Sequence, residues 1–108
     1  MKTYQRLLKV KNVVKETMDA ITIYFDDADQ KINYKPGQFF TLTKEIEGKR
    51  VSRTYSICTS PYLDAILAVT IKKVPNGVMS NYLVEHIQKG DVLEVSGPNG
   101  NFTTELLY

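Results

Sequence analysis

The sequence has few of the residues from which metal sites and disulfides are built. It contains one cysteine, one histidine and no tryptophan. The single thiol, Cys58, cannot form an intrachain disulfide. Together with His86 it cannot supply the four ligands of a structural zinc site or hold an iron–sulfur cluster. We therefore expect the protein to contain no metal site.

Long apolar runs and an excess of one charge are also missing. No stretch reaches the roughly 18 apolar residues of a membrane span, and Met1 to Arg6 do not form the apolar core of a signal peptide. The 14 basic and 12 acidic residues are interspersed and give a net charge of +2. This pattern indicates neither a nucleic-acid nor a membrane partner. We expect a soluble, cytoplasmic protein without either partner.

What the sequence does contain is typical of one small all-β domain. Its 108 residues, 43% of them hydrophobic, suffice for a single core. Segments rich in β-branched and aromatic residues recur between turn signals. The six predicted strands are Arg6–Val14, Ala20–Phe25, Gln38–Thr43, Arg50–Cys58, Ala65–Val74 and Val92–Ser96. With one helical pattern over Ser80–Gln88, they predict a six-stranded antiparallel Greek-key barrel with one short helix at its end.

The fourth predicted strand contains the tetrapeptide Arg53-Thr54-Tyr55-Ser56. Strand alternation places Arg53 and Tyr55 on one face, with Ser56 at the next position. The strand therefore offers a cation, an aromatic ring and a hydroxyl group to a ligand. Strands with an exposed arginine beside a tyrosine are also common without a ligand, so the tetrapeptide alone leaves both interpretations open.

A second segment, Pro75–Ser80, runs from the fifth predicted strand through a glycine turn into the helix. Free backbone N–H groups and the positive end of the helix dipole can converge on an anion at such a point, with the Ser80 hydroxyl beside them. A phosphate group would fit there. An ordinary helix start with Ser80 as its N-cap would give the same pattern.

Together, the two segments resemble the flavin-binding signatures of the ferredoxin–NADP reductase family. In that family an Arg-x-Tyr-Ser strand precedes a Gly-x-x-Ser/Thr helix start, and both the order and the separation match. Other segments resemble the family's early turn, fifth strand, and closing strand and loop: Pro36–Phe39, Val69–Val74, Lys89–Asp91 and Gly97–Phe102. The resemblance covers nearly the whole chain.

The resemblance implies a bound flavin, FAD or alternatively FMN, and assigns roles on the strand. Arg53 would pair with a phosphate of the flavin nucleotide, because a guanidinium is always charged and can donate two parallel hydrogen bonds. Tyr55 would lie against the isoalloxazine ring. Ser56 would be the catalytic residue, with its hydroxyl near N5, the flavin atom that accepts hydride.

The resemblance further implies that the helix start binds the flavin's pyrophosphate. The amides of Val78, Met79 and Ser80 would hold it together with the Ser80 hydroxyl, and main-chain groups of Thr70 and Lys72 would meet the ring edge or the adenosine. The implied cofactor-binding residues are Arg53, Thr54, Tyr55, Ser56, Thr70, Lys72, Gly77, Val78, Met79 and Ser80.

A complete member of the family passes electrons from NADH or NADPH through the flavin to a ferredoxin, a flavodoxin or an iron–sulfur acceptor. The sequence shows no Gly-rich nicotinamide loop, so we expect residues 1–108 to be the flavin-binding domain, with the NAD(P)-binding domain absent. That domain or chain would be the first partner. Two alternatives stay open here: a nucleic-acid-binding β-barrel, and a non-enzymatic interaction domain without cofactor.

Overall fold

A computed structural model describes residues 5–27, 32–35, 37–59 and 66–100 of the protein. They form, in chain order, β1 (Gln5–Thr17), β2 (Ala20–Asp26), β3 (Phe39–Ile46), β4 (Lys49–Ser56), β5 (Leu67–Lys72), α1 (Val78–His86) and β6 (Val92–Asn99). The strands pair antiparallel in one six-stranded sheet of order β4-β3-β6-β1-β2-β5. The predicted all-β class, with six antiparallel strands and one short helix, is confirmed.

A tight turn between β3 and β4 fixes which side chains share a face. Glu47 and Gly48 connect the two strands with φ values of 51° and 78°, and positive values at both positions are those of a type I′ hairpin turn. The resulting register pairs Phe40 with Tyr55 and Leu42 with Arg53. Because residues opposite each other share a face, Arg53 and Tyr55 lie on the side of the sheet that carries the core residues of β3.

The sheet folds around one core. Phe25 of β2 and Phe40 of β3 meet edge to face with ring centroids 6.4 Å apart, although their strands are not neighbours in the sheet. Toward this core point the buried side chains of Ile21, Ile23 and Phe25 from β2 and of Leu67, Val69 and Ile71 from β5. The largest fully buried side chains are Phe25, Phe40, Ile23, Leu42, Ile71, Met79, Leu83, Leu93, Val10, Val69 and Val95.

The expected barrel is not closed along its two edge strands, β4 and β5. Their junction, which we call the β4–β5 seam, contains an isolated antiparallel bridge between Ile57 and Val69. Beside it, the Cys58 N–H donates a 2.9 Å hydrogen bond to the Ala68 carbonyl. Farther along the seam, α1 packs against β3, β4 and β5. The helix therefore occupies the interval in which the edge strands would otherwise have paired.

Helix α1 begins before the predicted start at Ser80. Its N-cap residue is Gly77, and no side chain caps it, so the alternative in which Ser80 is the N-cap is wrong. Met79 and Leu83 are fully buried and anchor the helix to the core, whereas the Val78 side chain is exposed. No helix in the described part of the chain has the length and hydropathy needed to cross a membrane.

Strand β6 continues beyond its predicted end at Ser96. It reaches Asn99, which pairs with Phe39 of β3 across an irregularity in the ladder. This pairing between distant segments overrides the local turn signal of the Gly-Pro-Asn-Gly sequence. Ala65, the predicted start of the fifth strand, and Phe102 lie outside the described residues.

Candidate functional site

A cavity of about 200 Å³ lies at the β4–β5 seam beside the start of α1. Three parts of the chain build it: β4, the end of β5 with the residues that follow, and the first turn of the helix. The lining residues are Arg53, Thr54, Tyr55, Lys72, Val74, Gly77, Met79 and Ser80. The two segments identified separately in the sequence therefore meet in one site.

Most of the predicted cofactor-binding residues line this cavity, but Ser56, Thr70 and Val78 do not. The Thr70 hydroxyl oxygen lies 3.1 Å from Thr22 Oγ1 and 3.4 Å from Cys58 Sγ. Ser56 is exposed at the end of β4, immediately after the cavity-lining tyrosine. Val78 is exposed, although the residues on both sides of it in the chain line the cavity.

On the β4 side, the site presents a cation and a neutral aromatic ring. Arg53 is exposed, and its Nη1 donates a 2.7 Å hydrogen bond to the carbonyl of Ser52. A guanidinium has five N–H donors, so the side chain keeps donors for an anionic ligand. Burial raises the pKa of the half-buried Tyr55 phenol above its ordinary value, and the charge of Arg53 partly opposes this rise. The phenol is therefore protonated at neutral pH.

The charged side chains in the described lining are both cationic. Arg53 contributes one from β4 and Lys72 the other from the end of β5, where it pairs with Ala20 in the ladder. Two positive charges facing a small concave space favour an anion. The cavity therefore combines a cationic rim with an aromatic wall.

On the helix side, a tight turn leads into α1. The Gly77 N–H donates a 2.9 Å hydrogen bond to the Val74 carbonyl. Pro75 follows Val74, and Asn76 has a φ of 63°, as a type II turn requires at those positions. A Cβ atom at Gly77 would collide with Val74 and lie 2.6 Å from Ser80 Oγ. Only glycine leaves this close approach unobstructed.

The start of α1 has unused hydrogen-bonding capacity. The first N–H groups of an α-helix have no partner within the helix, and no side chain caps this one. The buried Ser80 hydroxyl accepts a 3.1 Å bond from the Val74 N–H, and its distance to the Gly77 carbonyl is 3.5 Å. Because that second bond is long, the hydroxyl proton can turn toward a ligand. The site thus fits a ligand with both a phosphate and a planar ring.

Residues 5–104 match the family model described as the oxidoreductase FAD-binding domain. The chain belongs to this family. The resemblance inferred from the sequence motifs is confirmed. Of the two flavins considered, FAD and FMN, the family model identifies FAD as the cofactor. The uncapped helix start, the cationic rim and the tyrosine are groups suited to the pyrophosphate and the isoalloxazine ring of FAD.

Several reductase components are similar to this FAD-binding domain. The glycine betaine monooxygenase reductase subunit of Pseudomonas aeruginosa is 43% identical over 100 residues, covering 91% of this chain and 27% of the relative. The 3-ketosteroid-9-alpha-monooxygenase, ferredoxin reductase component, of Mycobacterium tuberculosis is 40% identical over 110 residues, covering 93% and 31%. The chain therefore spans less than a third of the length of these relatives.

A solved structure with the same fold supports this assignment. The ferredoxin reductase in carbazole 1,9a-dioxygenase aligns with a TM-score of 0.75 at 30% identity, and the alignment covers 93% of this chain and 30% of that one. The FAD-binding domain thus aligns with less than a third of the length of that reductase.

Two residues of the site were not predicted from the sequence. Val74 lines the cavity, and Asn81 bonds to the turn that precedes α1. The sequence contained one usable signal for Asn81, since a carboxamide in the first turn of a helix often bonds to nearby backbone. Val74 had no such signal, because an aliphatic residue before a proline turn is not distinctive.

Proposed function

We propose that this FAD-binding domain belongs to an NAD(P)H-dependent reductase that passes electrons from a nicotinamide through FAD to a ferredoxin, a flavodoxin or an iron–sulfur acceptor. The observation that carries the proposal is the convergence of Arg53 and Tyr55 with the start of α1 in one cavity. The names of the relatives, a monooxygenase reductase subunit and a ferredoxin reductase component, support it. In this proposal, a domain or chain outside the 108 residues binds the nicotinamide.

The domain's contribution is to bind and orient the cofactor. When bound, FAD would supply the redox chemistry of hydride acceptance and single-electron release. Arg53 would hold a phosphate, and the first-turn amides of α1 with the Ser80 hydroxyl would hold the pyrophosphate. Tyr55 would pack against the isoalloxazine ring as a neutral face, because its raised pKa keeps it protonated.

Ser56 is proposed as the residue that hydrogen-bonds near the reactive edge of the ring. Ser56 is exposed at the end of β4, directly after Tyr55 and just before Ile57, where an isolated bridge links the two sides of the β4–β5 seam. Thr54 and Lys72 would contact the bound FAD from the two sides of the cavity. For Thr70 we propose a main-chain contact only, since its hydroxyl is already bonded within the protein.

We also propose that the protein acts in the cytoplasm. Cys58 is a free and exposed cysteine. Exposed thiols persist in compartments whose redox buffers keep them reduced. Fractionation of cells that express the tagged natural protein would test this, and recovery from a secreted or periplasmic fraction would contradict it.

The cofactor part of the proposal is tested by titrating the 108-residue chain with FAD. We expect FAD fluorescence to change saturably and the purified complex to show visible flavin absorbance. Absence of FAD binding would overturn the proposal, whereas salt-sensitive binding of oligonucleotides in its place would support the nucleic-acid alternative.

The electron-transfer part needs the longer protein that contains this domain. We expect it to reduce a ferredoxin, a flavodoxin or an iron–sulfur acceptor with NADH or NADPH as donor, and we expect the rate to fall when FAD is removed and return when FAD is added. A protein that binds FAD but reduces none of the three acceptor classes with either donor would contradict this part.

A further inference from the structure

We infer that Asn81 is a positioning residue for the phosphate-binding end of the cavity. Its side-chain Nδ2 donates hydrogen bonds to two carbonyl oxygens, that of Val74 at 3.0 Å and that of Gly77 at 2.7 Å. Both carbonyls belong to residues that line the cavity, whereas Asn81 does not line it. It therefore acts on the site through the turn that precedes α1.

Both carbonyl oxygens carry partial negative charge, and each has two lone pairs that can accept hydrogen bonds. The backbone N–H groups of Gly77 and Asn81 each donate to one of these oxygens, and a lone pair left unused beside a phosphate would be unfavourable. By donating to both, Asn81 occupies these oxygens with its amide protons. The N–H groups at the start of α1 are left to face the anion.

The same bonds fix the turn to the helix. The Gly77 carbonyl also accepts a 3.1 Å bond from the backbone N–H of Asn81, so residue 81 holds it from two directions. The Val74 carbonyl accepts from the Gly77 N–H at 2.9 Å as well as from Asn81. Both ends of the turn are therefore tied to the first turn of α1, and its amides are pre-organised for a ligand.

A carboxamide at this position is chemically specific. The NH₂ group has two donors, and the structure uses both. Aspartate has almost the same shape but only accepts hydrogen bonds when ionised, and its charge would repel a phosphate. Alanine removes the donors without adding charge. The two substitutions therefore separate the loss of the bonds from the addition of a negative charge.

The inference rests on the proposed FAD site, and its test compares FAD with riboflavin, which carries the same ring without phosphate. We expect Asn81→Ala to weaken FAD binding about tenfold, because the turn and the first amides of α1 lose their pre-organisation, and to change riboflavin binding by less than about twofold. A fluorescence titration of the 108-residue chain measures both. A defect confined to FAD separates positioning of the phosphate site from general destabilisation.

Two further variants sharpen the test. Asn12→Ala is the matched control, because Asn12 lies on β1 and bonds to the neighbouring Val13 N–H, outside the cavity; it should leave both affinities unchanged. Asn81→Asp should bind FAD more weakly than Asn81→Ala at neutral pH. It should recover part of this loss as the pH falls toward about 4, where a carboxyl group takes up a proton and can donate again.

Failure of the inference is distinguishable from failure of the proposed function. If Asn81→Ala weakens FAD and riboflavin equally, or weakens neither, the positioning role is overturned. If the wild-type chain binds neither flavin, the proposed function fails. Amide hydrogen exchange of the ligand-free chain then still tests whether Asn81 holds the turn before α1 in place. Asn81→Ala should then speed exchange of the Gly77 N–H and leave that of Ile23 in β2 unchanged. An unchanged exchange rate of the Gly77 N–H would overturn the positioning role of Asn81.

Discussion

Replacing Arg53 with alanine should weaken FAD binding strongly and leave folding stability almost unchanged. The side chain is exposed, and its hydrogen bond runs to the carbonyl of its own neighbour, Ser52. Substitutions of exposed residues outside the core usually change the free energy of unfolding by no more than about 0.5 kcal/mol. Binding and stability should therefore respond separately to this substitution.

The expected loss of affinity follows from the chemistry of the pair. A hydrogen bond to a charged group contributes about 1.5–3 kcal/mol. Loss of one such bond between Arg53 and an FAD phosphate corresponds to a 10- to 100-fold weaker Kd, as an order-of-magnitude estimate. Arg53→Lys should fall between wild type and alanine, because an ammonium group keeps the charge without the two-pronged geometry.

The assay is a fluorescence titration with FAD, paired with thermal unfolding of the ligand-free variants. Arg50→Ala is the matched control, because Arg50 lies on the same strand as Arg53 but on its opposite face, where it pairs with Glu94. We expect Arg50→Ala to leave FAD affinity unchanged. Equal FAD affinity in wild type and Arg53→Ala, or an equally large loss in Arg50→Ala, would refute the reasoning.

Three other substitutions test the turn, the core and the tyrosine. Gly77→Ala places a methyl group against Val74 and Ser80, so FAD titration should show at least about tenfold weaker binding; an unchanged Kd would argue against the close approach. Leu42→Ala empties a fully buried position and should lower the free energy of unfolding in urea by about 2–5 kcal/mol, and a loss below about 1 kcal/mol would contradict the packing. The pKa of Tyr55 is raised by burial, so the neutral phenol is favoured in the folded state. Its contribution to the free energy of unfolding is complete below about pH 10, the ordinary tyrosine pKa. This contribution is lost as the pH rises through the higher pKa of the folded state. Urea unfolding above pH 10 should therefore show a steeper decline for wild type than for Tyr55→Phe, and parallel profiles would exclude this contribution.

The elements of the fold could be predicted because their signals are local. The alternation of Ile21, Ile23 and Phe25 follows from the two-residue period of a strand, and the structure buries all three. Boundaries were less predictable, since β6 extends to Asn99 through a pairing with β3 that no local pattern announces.

The site could be predicted only in part. The motifs around Arg53 and Ser80 identified two halves of a binding site, and the family match confirmed the class of cofactor. The cavity includes Val74 and excludes Ser56 and Thr70, and sequence patterns did not give this division. Which residues line the cavity depends on the position of the turn before α1 relative to β4 and β5.

The sequence by itself determined the strands, the helix, the inward faces and the residue types that an FAD site needs, because these follow from periodicity and chemistry along the chain. Only the tertiary structure decided that the β4–β5 seam stays open beside α1 and that Asn81 engages the Val74 and Gly77 carbonyls. Both depend on contacts between segments distant in sequence or on the three-dimensional path of a turn. Packing around the common core fixes these, and no local pattern encodes them.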